Sequence, residues 1–313
     1  MKIIDLQNGG EYVLKEHDAV SCAIGNFDGV HLGHRQLLAV ARKKGEGITK
    51  SAVWTFDEPS SRKVSGVSLL TSPCERFEIF RSLGIELLFL TNFDEIRSLA
   101  PDQFVKDILY RDCHVRRAIC GFNFHYGKMA KGNAEMLKAS MTNLGAQAEI
   151  VPPFCINGVT VSSSEIRAAL SEGDPEKATK MLARPYSLTS EVVHGKELGR
   201  NLGFPTANQR FPENRALPRF GVYAVRVRID DIIYGGVANI GVRPTVEHTK
   251  IANCETFILG WNGDLYGKTV TTEFCKFLRP EQHFEGIDAL KEAVQRDISN
   301  AVQYFKAEKE QKI

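Results

Sequence analysis

Between residues 19 and 154 short apolar runs alternate with amphipathic stretches. "AVSCAI" precedes "HRQLLAVARKK", "KSAVWTF" precedes "CERFEIFRSLG", and "IELLFLTNF" precedes "PDQFVKDILYRD". "VRRAICGFNF" then precedes "NAEMLKASMTNLG", with "AEIVPPF" following. Strand–helix alternation of this kind predicts a parallel sheet covered on both faces. The unbroken run Leu87, Leu88, Phe89, Leu90 suits a strand buried on both sides.

The pattern changes near Arg184 and Pro185, where turns and two-residue alternation take over. In "GVYAVRVRIDD", Tyr223, Val225, Val227 and Ile229 share one face and Arg226 and Arg228 the other. "IDDIIYGGVANIG" reads as a hairpin partner, and "CETFILGWNGDLYGKTVTTEFCKFLR" as two further strands. These predict a small antiparallel barrel. A closing amphipathic helix follows, with Leu290, Ala293, Val294, Ile298, Ala301, Val302 and Phe305 as its apolar stripe. "SSEIRAALSEGDPEKATKMLARP" reads as a helical connector. The expected organisation is a Rossmann-like α/β domain at 1–183 and a β-barrel with a C-terminal helix at 184–313.

Composition narrows the class. The 313 residues are 43% hydrophobic and 25% charged, as in ordinary globular chains, and the formal charge of +2 offers no basic field for nucleic acid. The seven cysteines form no C-x-x-C pair, which argues for free thiols in a reducing cytoplasm. No signal peptide and no membrane span are expected. A monomer or weak oligomer is expected.

"IGNFDGVHLGH", residues 24–34, sits where the first strand of the alternating region should pass into a helix. Ligands of open α/β sheets bind beyond the strands' carboxyl ends. Gly25, Gly29 and Gly33 let the backbone approach a ligand closely. The free N–H groups of the following helix make an anion site, onto which His31 and His34 can donate. An H-x-x-H at a helix start can equally be solvated surface, and a metal pair would lack a third ligand.

The wider string "GNFDGVHLGH" resembles the G-x-F-D-x-x-H-x-G-H signature of the nucleotidyltransferase superfamily, whose members attack a nucleotide's α-phosphorus and release pyrophosphate. The resemblance implies ATP contacts from Gly25, Asn26, Phe27, Asp28, His31 and His34, with the histidines catalytic. "VSSSEIR" is similar to the family's (I/V)-S-S-T-x-I-R motif and implies that Ser163, Ser164 and Arg167 hold the triphosphate. The serines would also cap a helix. "GFNFHYGKMAKGN" is similar to a third family segment and implies a flavin- or nucleotide-side contact from Asn123.

"HGKELGRNLGFPTAN", residues 194–208, is no Walker loop, because no hydroxyl residue follows Lys196, yet it is a glycine-rich phosphate cradle. Gly195, Gly199 and Gly203 permit close approach, Lys196 and Arg200 bring positive charge, and Thr206 and Asn208 offer hard oxygens suited to Mg²⁺. The segment closely resembles the G-R-x-L-G-F-P-T-A-N motif of riboflavin kinases, which also implies a nucleotide contact at Pro205. "GVYAV", "GVANIGVRPT", "CETFIL", "GDLYGK" and "FLRPEQHF" follow in the family's order. The resemblance implies that Glu255, on an alternating strand with Phe257 and Leu259, is the catalytic base for attack of a ribityl hydroxyl on ATP. It also implies that Arg279 contacts flavin or closes the site.

Nearly the full length is similar to the bacterial bifunctional riboflavin kinase/FAD synthetase family. That implies ATP and riboflavin as substrates, FMN as product and substrate, FAD as product, and Mg²⁺ as cofactor. Departures concentrate in the first half: "TFDEPSSRKV" lacks the histidine usual after "TF", and His125 and Tyr126 stand where arginine and phenylalanine are more common; in the second half Phe257 stands where histidine is frequent. Competing readings are a paralogue with one activity and a non-catalytic flavin- or RNA-binding regulator. Balanced charge and the lack of clustered basic and aromatic residues weigh against RNA.

Overall fold

The computed structural model describes residues 1–6, 14–15, 17–43, 45, 47–58, 66–195, 203–243 and 251–310. Two compact units, Met1–Ser163 and Ser164–Ile313, divide the chain.

In the first unit, β1 (Lys2–Asp5), β2 (Val20–Ile24), β3 (Lys50–Phe56), β4 (Leu87–Thr91), β5 (Val115–Gly121) and β6 (Gln147–Val151) form one sheet in the order β1-β4-β3-β2-β5-β6. Every pairing is parallel. Side-chain alternation divides the strand residues between two cores. Ile24, Trp54, Leu87 and Phe89 enter one core, and Ala23, Val53 and Leu88 the other. Helices α1 (Leu32–Arg42) and α2 (Pro73–Ser82) cover the second core through Leu37, Leu38 and Phe80. The first core is covered by α3 (Phe104–Asp112), which is π-wound, and α4 (Ala134–Asn143), through Phe104, Leu109, Leu137 and Met141. Leu87, Leu88 and Phe89 are thus buried on both sides, as the sequence predicts, while Leu90 is half-buried. β1 was not anticipated; as the sheet edge beside β4 it carries a single buried side chain, Ile4.

The chain steps outward from β2 to β3 and β4, then returns to the other flank of β2 with β5 and β6. The strand order therefore reverses between β2 and β5, where such sheets bind ligands. The loops after these two strands carry the H-x-x-H string and Asn123.

In the second unit, α5 (Ser163–Glu172) and α6 (Pro175–Leu182) precede β7 (Tyr186–Glu191), β8 (Thr206–Arg210), β9 (Gly221–Ile229), β10 (Ile232–Arg243), β11 (Ile251–Ile258) and β12 (Thr269–Arg279). The strands run antiparallel in the order β7-β12-β9-β10-β11-β8. A bridge between Val193 and Asn208, with the Val193 amide donating to the Asn208 carbonyl at 2.8 Å, joins the chain beyond β7 to β8, so the sheet curls into a half-barrel. Inside, fully buried Gln209 donates to the Val270 carbonyl at 3.0 Å and accepts from Thr272 Oγ1 at 2.6 Å. The connector packs with the barrel: the Arg219 amide donates to the Leu170 carbonyl at 2.8 Å and Lys276 pairs with Glu176 at 2.8 Å. Helix α7 (Ile287–Glu310) buries Ala293 and Ala301 in the expected stripe.

Candidate active sites

The loop after β2 is held in a costly shape. Phe27, Gly29 and Val30 have φ of 52°, 81° and 41°, a region that aromatic and β-branched residues avoid. Its surroundings fix it. The Asp28 carboxylate, 3% exposed, accepts from the Leu70 amide at 2.9 Å and the Thr71 amide at 3.2 Å. Thr71 Oγ1 accepts from the Gly29 amide at 3.0 Å, and Ser163 Oγ donates to the Asp28 carbonyl at 2.9 Å. Phe27 is fully buried, edge-on to Phe80 at 5.6 Å. The resemblance implies ATP contacts at Phe27 and Asp28. Their side chains brace the loop from behind: one fills the core and the other satisfies buried amides.

Sequence reasoning missed Arg76. Its guanidinium, 1% exposed, donates to the carbonyls of Asn26 at 2.8 Å, Phe56 at 2.7 Å and Asp57 at 2.9 Å. It ties the end of β3 to the loop. Burial pushes its pKa down to about 10, against the opposing pull of Asp28 and Asp57. The only trace in the sequence is an arginine inside a helix otherwise read as amphipathic.

His31 is the N-cap of α1, and its Nδ1 accepts from the His34 amide at 3.3 Å, placing the proton of a neutral ring on Nε2. A Cβ at Gly33 would lie 3.2 Å from the His31 ring, so glycine there leaves the imidazole its place. His34 lies between His31, stacked at 3.6 Å, and Phe27, at 5.1 Å. Its Nδ1 is buried with no hydrogen-bond partner among the described residues, and burial, then His31 and Arg76, hold its pKa well below the usual histidine value. Asn123 is exposed in the turn beyond β5, where its carbonyl contacts His125 Nδ1 at 3.0 Å. Gly25 ends β2 beside the Phe27 ring. Ser164 and Arg167 begin α5, in the second compact unit. Residues 59–62, in the departure after "TF", lie outside the described residues.

On the barrel, register sets Glu255 of β11 between Asn208 of β8 and Asn239 of β10. Alternation sends Gln209 and Cys254 inward and places Thr206, Asn208, Asn253, Glu255 and Phe257 on the opposite face. Asn208, 4% exposed, donates to the Thr206 carbonyl at 3.2 Å. A Cβ at Gly195 would lie 2.6 Å from Asn208 Nδ2, so this glycine backs onto the amide. Phe204 meets Phe257 edge-on at 5.7 Å, a ring contact where the usual histidine is replaced. A cavity of about 470 Å³ opens beside Pro205, Thr206 and Asn208, walled by Trp261, Asp264 and Tyr266. Gly203 adopts φ of 86°. Lys196, Gly199 and Arg200 lie outside the described residues. Arg279 forms a two-pronged pair with Asp297 of α7 at 3.0 and 2.7 Å and donates to the Pro280 carbonyl at 3.1 Å.

Fold and loops together define a phosphate-handling α/β unit joined to a β-barrel unit. Family models described as FAD synthetase and Riboflavin kinase match residues 13–165 and 182–305. The Bifunctional riboflavin kinase/FMN adenylyltransferase of Bacillus subtilis (strain 168) is 34% identical over 303 residues, covering 94% of this chain and 95% of that one. The protein of the same description from Pseudomonas fluorescens is 35% identical, covering 95% and 97%. The chain belongs to the bifunctional riboflavin kinase/FMN adenylyltransferase family. A crystal structure from Streptococcus pneumoniae, described as a macrolide-efflux protein, has a TM-score of 0.84 at 29% identity and covers 96% of this chain and 98% of that one. Among the described residues here no helix is long and apolar enough to cross a membrane.

Proposed function

We propose that this chain phosphorylates riboflavin with ATP to give FMN and ADP, then transfers the adenylyl group of a second ATP to FMN, giving FAD and pyrophosphate. The observation that carries this reading is the pair of family matches, one for each activity, in order along a single chain. The adenylyltransferase is assigned to residues 1–183 and the kinase to 184–313.

At the first site the amino end of α1 and His31 take the phosphates of ATP, and His34 acts with them as pyrophosphate gathers charge. The backbone of Gly25 and Asn26 lies against the nucleotide, with Phe27 and Asp28 fixing the loop. Ser163, Ser164 and Arg167 are assigned to the triphosphate and Asn123 to the flavin.

At the second site Glu255 accepts the proton of the ribityl hydroxyl that attacks the γ-phosphorus. Residues 195–208 hold ATP, with Lys196 and Arg200 supplying charge. The Thr206 hydroxyl and Asn208 amide oxygen, with the Glu255 carboxylate paired across the strands, are a hard-oxygen set that fits Mg²⁺. Thr206 and Asn208 would hold that ion, which when bound neutralises phosphate charge. Arg279 closes the flavin side by fixing Pro280 and Phe284.

Chromatographic resolution of flavins tests the reading. Purified chain with riboflavin, ATP and Mg²⁺ should yield FMN and then FAD. Glu255→Gln should abolish the first step and leave conversion of supplied FMN intact, and His31→Ala should do the reverse. A folded variant that loses both activities equally contradicts the division.

A further inference from the structure

We infer that Asn253 is a positioning residue of the phosphoryl-transfer site, holding the proposed metal ligand Asn208 and the proposed base Glu255 through one amide nitrogen. The inference rests on the kinase reading of this face. Asn253 is 6% exposed on β11, two residues before Glu255. Its Nδ2 donates to Asn208 Oδ1 at 3.2 Å and to Glu255 Oε1 at 3.3 Å. An amide NH₂ has two hydrogens, and both have an acceptor here.

The arrangement also fixes which way each amide points. Two oxygens face one atom of Asn253, so that atom is the nitrogen. Asn208 Nδ2 faces the Thr206 carbonyl, so its Oδ1 is the atom left toward Asn253. Gly195 presses on the same amide plane from the cradle side. Asn208 is thereby held on three sides, with its oxygen presented in one orientation. That oxygen has a second lone pair, which is what a metal ligand needs. Partners that orient a ligand in this way are typically worth about 10–100-fold in metal affinity or activity. Asn253 touches no substrate in this account; it acts through Asn208 and Glu255.

Asn253→Asp keeps the shape but replaces the donor with an oxygen facing two oxygens. In the full chain it should lower kcat for riboflavin phosphorylation about 10–100-fold and raise the Mg²⁺ concentration needed for half-maximal rate. The KM for riboflavin and the rate of FAD formation from supplied FMN should be unchanged. Asn253→Thr keeps one donor and should fall between. Wild-type kcat and Mg²⁺ requirement in Asn253→Asp would overturn the inference. So would equal loss of rate and of riboflavin binding, measured by flavin fluorescence, in both variants, which marks a merely structural residue. Absence of riboflavin phosphorylation by the wild-type chain, or its persistence in Glu255→Gln, would instead sink the kinase reading.

Discussion

The imidazole rings of His31 and His34 stack with centroids 3.6 Å apart and planes 17° from parallel. Two such rings cannot both carry charge at that separation without strong repulsion. The environment assigns the neutral form to His34, whose Nδ1 is sealed from solvent and whose neighbours include the Arg76 cation. His31, the N-cap of α1, keeps its Nδ1 on the His34 amide and is left as the ring able to donate from Nε2.

A pH dependence of stability follows. The unfolded chain protonates His34 near pH 6.5 and the folded chain does so only well below that. Below about pH 6.5 the unfolded state binds the extra proton, so stability falls as pH falls, with a slope of up to about 1.4 kcal/mol per pH unit. Urea unfolding at pH 7.5 and 5.5 should show a larger loss in the wild type than in His34→Gln. Parallel losses would mean that His34 is not held neutral.

Asp28 should matter more to the loop than to ATP contact. Asp28→Asn leaves an amide nitrogen near backbone donors that a carboxylate now satisfies. Hydrogen bonds to charged groups are worth about 1.5–3 kcal/mol, so a loss of that order is expected in chemical denaturation. FAD formation should fall with it, because Phe27 and Val30 need that anchor to keep positive φ. FMN formation should be spared.

The sequence shows the fold where a pattern repeats over many residues. The run at 87–89 and the alternation of 223–229 both set burial in the structure as their periods require. It singles out the strand-to-helix loop at 24–34 by a short string of glycines and histidines. It fails where one polar residue is spent on the fold. Arg76 and Asp297 read as ordinary helix polars, and only the three-dimensional neighbours make them buried anchors. Position 297 did carry a signal: it falls within the apolar stripe of α7, between Ala293 and Ala301, where a carboxylate needs a partner. A signature string also carries residues whose side chains serve the loop itself. Half of such a string can be the scaffold that bends the other half into place, as Phe27 and Asp28 do.

Gly195→Ala tests the cradle. The added methyl would sit 2.6 Å from Asn208 Nδ2 and 2.7 Å from its Cγ, nearer than packed atoms approach. Asn208 has no slack, being bonded to Asn253 and Thr206, so it must leave its orientation. Riboflavin phosphorylation should drop by at least about tenfold, the low end for disturbing a ligand's support. The FMN-to-FAD rate should stay at the wild-type level. A Gly195→Ala chain with full kinase rate would remove Asn208 from the metal assignment.

Arg279 separates a stability effect from a site effect. Its guanidinium and the Asp297 carboxylate, at 19% and 6% side-chain exposure, are a mostly buried pair. Removing one member leaves the other's charge uncompensated, so Asp297→Ala should cost about 3 kcal/mol in unfolding free energy. Replacing both, as Arg279→Met with Asp297→Leu, takes away the charges together and should recover most of that stability. The same guanidinium also holds the Pro280 carbonyl and lies 5.5 Å over the Phe284 ring, at the start of "PEQHF". The double variant cannot restore that hold. Its Tm should therefore return toward wild type while its KM for riboflavin stays raised. Return of both would leave Arg279 a purely structural residue, with no part in closing the flavin side.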